Sequence, residues 1–405
     1  MTVKPEAVGL SSSQLALIDR HLTQRYIDST KIAGALTLVA RKGEIAHFSP
    51  LGLMDLKRAK PMARDTIFRI YSMSKPITSV ALMMLYEQGH FQLNDPVHKF
   101  IPEWRNLGVY AAGLYPNFIT TPAQRPMTVR DLMSHQSGLT YGFMNRSNVD
   151  RAYRKLELGA RHGDNLRGMV EKLAGIPLEF SPGTHWNYSV STDILGYLVE
   201  VFSGMPFDEY LRTKIFEPLK MVDTGFNVPE EKLERFAANY TRTPDKKLGL
   251  EDDPEGSPYT RPATFFSGGG GLVSTATDYF RFCQMLLNNG ELDGARILGR
   301  KTIELMTMNH LPDGKDLTQM SISAVAETPY EGTGFGLGFS IILNLADAQQ
   351  IGSVGEYSWG GAASTIFWID PVEDLVLIFM TQLMPSATFN FRGQLKQIIY
   401  PAIID

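Results

Sequence analysis

Strand-like runs sit at the two ends of this chain and helical periodicity fills the middle, and that distribution limits the fold more than any other feature. Near the start, short apolar runs at 35–40 and 45–48 flank the turn Arg41-Lys42-Gly43-Glu44, which reads as an antiparallel hairpin. Near the end, 335–343, 363–369 and 375–381 are β-rich, with Asp370-Pro371-Val372-Glu373-Asp374 turning the last two. A helix capped by Ser11 or Ser12, with Leu15, Ile18, Leu22 and Tyr26 on one face, precedes the first hairpin. Another helix, about 389 to 400, closes the chain. Between Gln92 and about Met221 the strand signal fades. There Thr128-Val129-Arg130-Asp131 is a capping box, and a helix from about Ser191 carries Ile194, Leu195, Leu198 and Phe202 to a stop at Gly204. The expected class is α+β: one antiparallel sheet assembled from 1–80 and 225–405, flanked by helices, with a mainly helical lobe, 81–224, inserted. The cleft between the lobes is the expected site.

A chain of 405 residues with 43% hydrophobic and 20% charged residues has the material for a full core. Its net charge of −4 and the lack of a long basic run point away from nucleic acid and anionic membranes as partners. The single cysteine, Cys283, excludes an internal disulfide and a cysteine-rich metal site. His47, His90, His98 and His185 show no ligand-like spacing, so no metal and no cofactor is expected. The first residues, Met1 to Glu6, carry no apolar leader, and no run reaches the length of a membrane span; a cytoplasmic location is expected. Two stretches read as connections. One is the polar, Pro-rich excursion 226–262; the other is Ser267-Gly268-Gly269-Gly270-Gly271, which lacks the Gly-Lys-Ser/Thr of a phosphate loop.

Chemistry gathers around Tyr71-Ser72-Met73-Ser74-Lys75-Pro76. Apolar residues at 77, 80, 81, 84 and 85 follow at helical spacing, and Pro76 restricts the helix start to between Ser72 and Lys75. The serine then sits at the positive end of a helix with the lysine one turn on. A buried amine can lose its proton far below its ordinary value of about 10.4 and take the proton of Ser72. Alone, the pair favours the plainer reading of an N-cap serine and a solvated lysine, since S-x-x-K arises by chance about once in a chain this long. Two further stretches stand out: Trp186-Asn187-Tyr188-Ser189-Val190 before a helix, and Ser358-Trp359-Gly360-Gly361-Ala362-Ala363-Ser364 before a strand.

Together with Leu132 to Leu139, Phe180-Ser181-Pro182-Gly183 and Gly271 to Asp278, these pieces resemble the serine β-lactamase and penicillin-binding-protein superfamily. Within it the chain is most similar to the class C β-lactamase-like esterases, the family VIII carboxylesterases. The resemblance implies Ser72 as acylated nucleophile, with Lys75 and Tyr188 as coupled base and proton shuttle. It also implies an oxyanion hole formed by the backbone N–H groups of Ser72 and Ala362, with Gly360 and Gly361 letting the substrate lie close. Where the β-lactamases have Lys-Thr-Gly this chain has Trp359-Gly360-Gly361, and their Tyr-x-Asn becomes Tyr188-Ser189-Val190. The first change removes a cationic anchor for carboxylates and the second an amide, so small neutral esters are the expected substrates, hydrolysed or transacylated. Trp359 is expected as a wall of the cleft, and Tyr141 and Phe143 as lining of an acyl pocket. The competing readings are a β-lactamase or D-amino-acid peptidase, and a binding or assembly protein that keeps the fold without turnover. No G-x-S-x-G elbow occurs, which speaks against an α/β-hydrolase triad using His135 and Ser137.

Overall fold

The computed structural model describes residues 2–405. Its centre is an eight-stranded antiparallel sheet to which both ends of the chain contribute. The N-terminal part supplies β1 (Gly34–Arg41), β2 (Glu44–Asp55) and the short β3 (Lys60–Pro61). The C-terminal part supplies β4 (Thr333–Phe335), β5 (Ser340–Ile342), β6 (Tyr357–Gly361), β7 (Thr365–Asp370) and β8 (Leu375–Met380). The spatial order is β4-β5-β6-β7-β8-β1-β2-β3, so the two ends meet at the β8–β1 pair, where Leu38 lies opposite Ile378.

The helices that frame the sheet and the site are α1 (Ser12–Leu22), α2 (Ser74–Glu87), α3 (Ser191–Ser203), α4 (Ala276–Leu287) and α5 (Phe391–Ile399). Side chains alternate across a strand, and β8 is apolar throughout because both of its faces are covered. Leu375, Leu377 and Phe379 pack with Leu15, Ile18 and Leu22 of α1 and Leu395 and Ile399 of α5. Val376, Ile378 and Met380 point the other way, into the core that contains α2 and α4. Burial of each such side chain stabilises by about 1.5–3 kcal/mol.

Four local expectations change. The run 335–343 is two strands joined at a turn where Gly338 takes φ +104°, and Trp359-Gly360-Gly361 lies inside strand β6 rather than ahead of one. The region 92–221 contains a hairpin, Val109–Leu114 with Asn117–Thr121, that was not expected. Its outer residues are solvent-facing, including Ile119 at 64% exposure, so no burial alternation marks it. The stretch 226–262 is no simple excursion. Its strands Asn239–Arg242 and Leu248–Asp252 form a small sheet with Leu383–Met384. The buried Arg69 holds that sheet to the core, donating at 2.6 Å to Asp252 and at 2.6 Å to the Ala237 carbonyl. No helix among the described residues is long and apolar enough to cross a membrane.

Candidate active site

Ser72 lies in a single 3₁₀ turn, Tyr71–Met73, that leads into α2. Tyr71 has φ +41°, a left-handed conformation costly for a residue with a side chain, so the chain is held under strain immediately before the serine. The Ser74 hydroxyl accepts the Leu272 N–H at 3.2 Å and fixes the start of α2 against the glycine run. Helical spacing brings Lys75 onto the same side as Ser72, with Nζ 3.2 Å from its Oγ.

Tyr188 arrives from a segment pinned on both sides. The Asn187 side chain donates to the Leu139 carbonyl at 3.0 Å, the Asn187 N–H to the His135 carbonyl at 2.9 Å, and the Val190 N–H to the Thr140 carbonyl at 3.2 Å. The Tyr188 hydroxyl donates to Ser72 Oγ at 2.5 Å. The three expected side chains therefore converge on one oxygen. His135 packs edge-on against the Tyr188 ring and pairs with Ser189 at 3.1 Å, away from Ser72.

The charges around this oxygen are unusual. Lys75 is only 2% exposed and lies 4.4 Å from the centre of the Tyr188 ring. Burial brings its pKa down to about 7, against the pull of the nearby Asp193 and Glu327 carboxylates. The Lys75 amine donates to the Gly269 carbonyl at 2.6 Å, while the Gly269 N–H and the Ser267 hydroxyl donate to Asp193 at 3.0 and 2.5 Å. A single residue, Gly269, thus links the lysine to a buried carboxylate. Burial pushes the Tyr188 phenol well above its ordinary range, and the Glu327 charge adds to this. Tyr188 is accordingly protonated at rest, and Lys75 is the group poised to change charge near neutrality.

Ser72 opens onto a cavity of about 560 Å³. Tyr141 and Phe143 line it, with their rings stacked at 4.6 Å. Ala362 lines it as the first residue beyond β6. Trp359, Gly360, Gly361 and Val190 are placed elsewhere. Trp359 is fully buried behind the site, its ring 5.6 Å from that of Tyr188 and 5.3 Å from that of Phe335, so it backs the tyrosine and does not form the cavity surface. Val190 is buried at the start of α3. The glycines serve the backbone: a Cβ on Gly361 would lie 2.3 Å from the Ile70 carbonyl oxygen, which lets β6 close against the turn that carries Ser72. On Gly360 a Cβ would lie 3.2 Å from the Thr365 oxygen and 3.3 Å from that of Glu327.

Sequence reasoning missed several contributors. Asp193 reads as an ordinary acid in the first turn of α3, and the glycine run reads as a connection although Gly269, Gly270 and Gly271 line the cavity. Tyr259, from the Pro-rich stretch, lines it too, under Arg161, whose guanidinium stacks 3.9 Å above the ring and donates to the Pro258 and Gly271 carbonyls at 3.2 Å each. Glu327 and Ser386 complete one rim. Asp193, Tyr259, Arg161, Glu327 and Ser386 belong to no motif; each is a lone residue delivered by tertiary folding.

The Beta-lactamase family model matches residues 19–398. An uncharacterized protein of Mycobacterium tuberculosis is 35% identical over 366 residues, covering 90% of this chain and 89% of the relative. Esterase EstB of Burkholderia gladioli is 29% identical over 398 residues, covering 93% of this chain and 91% of the relative. Among solved structures, EstCE1, described as a hydrolase with promiscuous acyltransferase activity, superposes with a TM-score of 0.80 at 25% identity, covering 96% of this chain and 99% of that one.

Proposed function

The chain belongs to the β-lactamase family, and from that premise we propose that it is a serine carboxylesterase acting on small, uncrowded esters through an acyl-enzyme on Ser72. The observation that carries this reading is the meeting of the Lys75 amine and the Tyr188 hydroxyl on the Ser72 oxygen, at the wall of a mainly apolar cavity. With its pKa brought to about 7, Lys75 has a neutral fraction at physiological pH that accepts the Ser72 proton as Oγ attacks the carbonyl carbon. The tetrahedral oxyanion rests on the backbone N–H groups of Ser72 and Ala362. On collapse the C–O bond to the alcohol breaks, and the alkoxide takes the Tyr188 proton, which the protonated Lys75 replaces. Water then attacks the acyl-enzyme by the same route in reverse and releases the acid. An alcohol in place of water gives acyl transfer, and the name of EstCE1 shows that a similar structure supports both outcomes.

The replacement of a lysine by Trp359, buried behind Tyr188, and of an asparagine by Val190, in the core, supports ester over β-lactam substrates. Hydrolysis of p-nitrophenyl butyrate beside nitrocefin tests this directly. Rapid cleavage of the ester with little turnover of nitrocefin is expected. Preference for nitrocefin would overturn the substrate assignment and favour the β-lactamase or peptidase reading. Turnover of neither, with no labelling by an active-site phosphonate, would favour a binding protein.

A further inference from the structure

The rim of the cavity carries one residue that no motif contains and that is held with care from two directions. Glu327 lines the same cavity as Ser72, and its charge is felt at both Lys75 and Tyr188. Its backbone is fixed from below: Arg392, 9% exposed, donates from one nitrogen to the carbonyl oxygens of Glu327 and Trp359, at 3.2 Å each. That guanidinium ties the 326–329 segment to strand β6, where the glycine at 360 admits the Glu327 oxygen. Burial raises the Glu327 pKa, and the Ser386 hydroxyl on the same rim, Lys75 and Arg392 oppose that rise by favouring the charged form. A surface glutamate with no function needs no such support.

The charges around Glu327 set its sign. Arg392 donates from one nitrogen to carbonyl oxygens, and its charge acts on the buried Glu356 first and on Glu327 second. Arg161 belongs to the Tyr259 wall and is engaged with carbonyls there. Asp193 sits behind Lys75, where burial raises its pKa and the Ser267 hydroxyl, the Lys75 charge and the Gly269 N–H oppose that rise. Above neutral pH, with Lys75 uncharged, Glu327 is the acidic side chain lining the cavity beside Ser72, while the Arg161 cation belongs to the Tyr259 wall. A carboxylate on a substrate is repelled there, and an ammonium is attracted.

Building on the esterase reading, we propose that Glu327 selects substrate charge: the preferred esters carry an ammonium or quaternary ammonium group a few bonds from the reacting carbonyl, seated against the Glu327 carboxylate. In family members with a lysine on this strand the anchor is a cation for a carboxylate; here Trp359 has removed it and Glu327 supplies the opposite sign.

The test compares p-nitrophenyl trimethylammoniobutyrate with its uncharged isostere, in which carbon replaces nitrogen, on the alkaline side of neutrality. The ratio of the two kcat/KM values cancels any loss common to both substrates. In the wild-type enzyme the cation is expected to be favoured by about tenfold, the size of a charge pair worth about 1.4 kcal/mol. Glu327→Gln is expected to bring the ratio near one, and Glu327→Asp, which keeps the charge, to retain part of the preference. Far-UV circular dichroism and the thermal midpoint of each variant separate misfolding from altered selectivity, and Ser386→Ala, which leaves the backbone clamp intact, should lower the ratio in a folded protein. A wild-type ratio near one, or a ratio unchanged in Glu327→Gln, overturns the proposal while leaving the esterase reading intact. Cleavage of neither ester by the wild-type enzyme overturns both.

Discussion

At the scale of single residues, the account rests on a lysine that must be neutral to work. Because burial sets the Lys75 pKa at about 7, kcat/KM is expected to rise with pH through that value and level off above it, since only the uncharged amine accepts the Ser72 proton. Asp193 favours the charged amine, so Asp193→Asn is expected to move this acid limb to lower pH; a limb that stays in place or moves up would contradict the assignment. Tyr188→Phe removes the proton carrier while leaving its packing against Trp359 and His135, and is expected to lower kcat by about two to four orders of magnitude with little change in the thermal midpoint. These residues were legible in the sequence because helical spacing joins Ser72 to Lys75, and because Tyr188 stands in a recognisable pentapeptide. Asp193 and Glu327 were not legible. A buried carboxylate is defined by what surrounds it, and Asp193 meets Ser267 and Gly269 from 74 and 76 residues away in sequence.

At the scale of elements, the catalytic turn and strand β6 are fitted to each other through backbone. Gly361→Ala is expected to cost about 1–3 kcal/mol in denaturant unfolding and to lower kcat, because its Cβ meets the Ile70 carbonyl oxygen at 2.3 Å and pushes Ala362 away from Ser72. Gly256→Ala, where a Cβ meets nothing within 4 Å, serves as the comparison and should change stability little. Equal effects of the two would mean that the close approach of β6 is not what the glycine is for. The paired glycines were visible in the sequence, but the close approach of β6 to the Ile70 carbonyl was not, because that carbonyl lies far away in sequence. Strands β1, β7 and β8 were legible because short apolar runs with turn residues between them have few alternatives. The hairpin Val109–Leu114 with Asn117–Thr121 was not, since nothing buries one of its faces.

At the scale of the whole molecule, the sheet joins the two ends of the chain, and α5 is locked over it by a buried ion pair. Lys396 and Glu356 lie 2.7 Å apart with 1% and 0% side-chain exposure, and Tyr400 donates to the same carboxylate at 2.7 Å. Lys396→Met leaves that carboxylate without its cation and is expected to cost about 3–5 kcal/mol. Burial already raises the Glu356 pKa and the lysine opposes it, so removal of the lysine raises it further. A carboxyl whose folded-state pKa lies above the unfolded one loses stability as pH rises, so the deficit of the variant should grow with pH in chemical denaturation. The class, the joining of the termini in one sheet and the placing of Ser72 at the start of α2 were all readable, because each depends on local periodicity and motif order. The lock between α5 and the sheet was not, because a lysine and a glutamate 40 residues apart carry no sign of burial.

The central claim, an acyl-enzyme on Ser72, is tested most directly by intact-mass spectrometry of the enzyme quenched during turnover of p-nitrophenyl butyrate, with the modified peptide mapped and Ser72→Ala run in parallel. A single butyryl adduct on Ser72 is expected, absent from Ser72→Ala, whose turnover should fall by several orders of magnitude. An adduct on another residue, or a Ser72→Ala variant that still hydrolyses the ester at the wild-type rate, would contradict it.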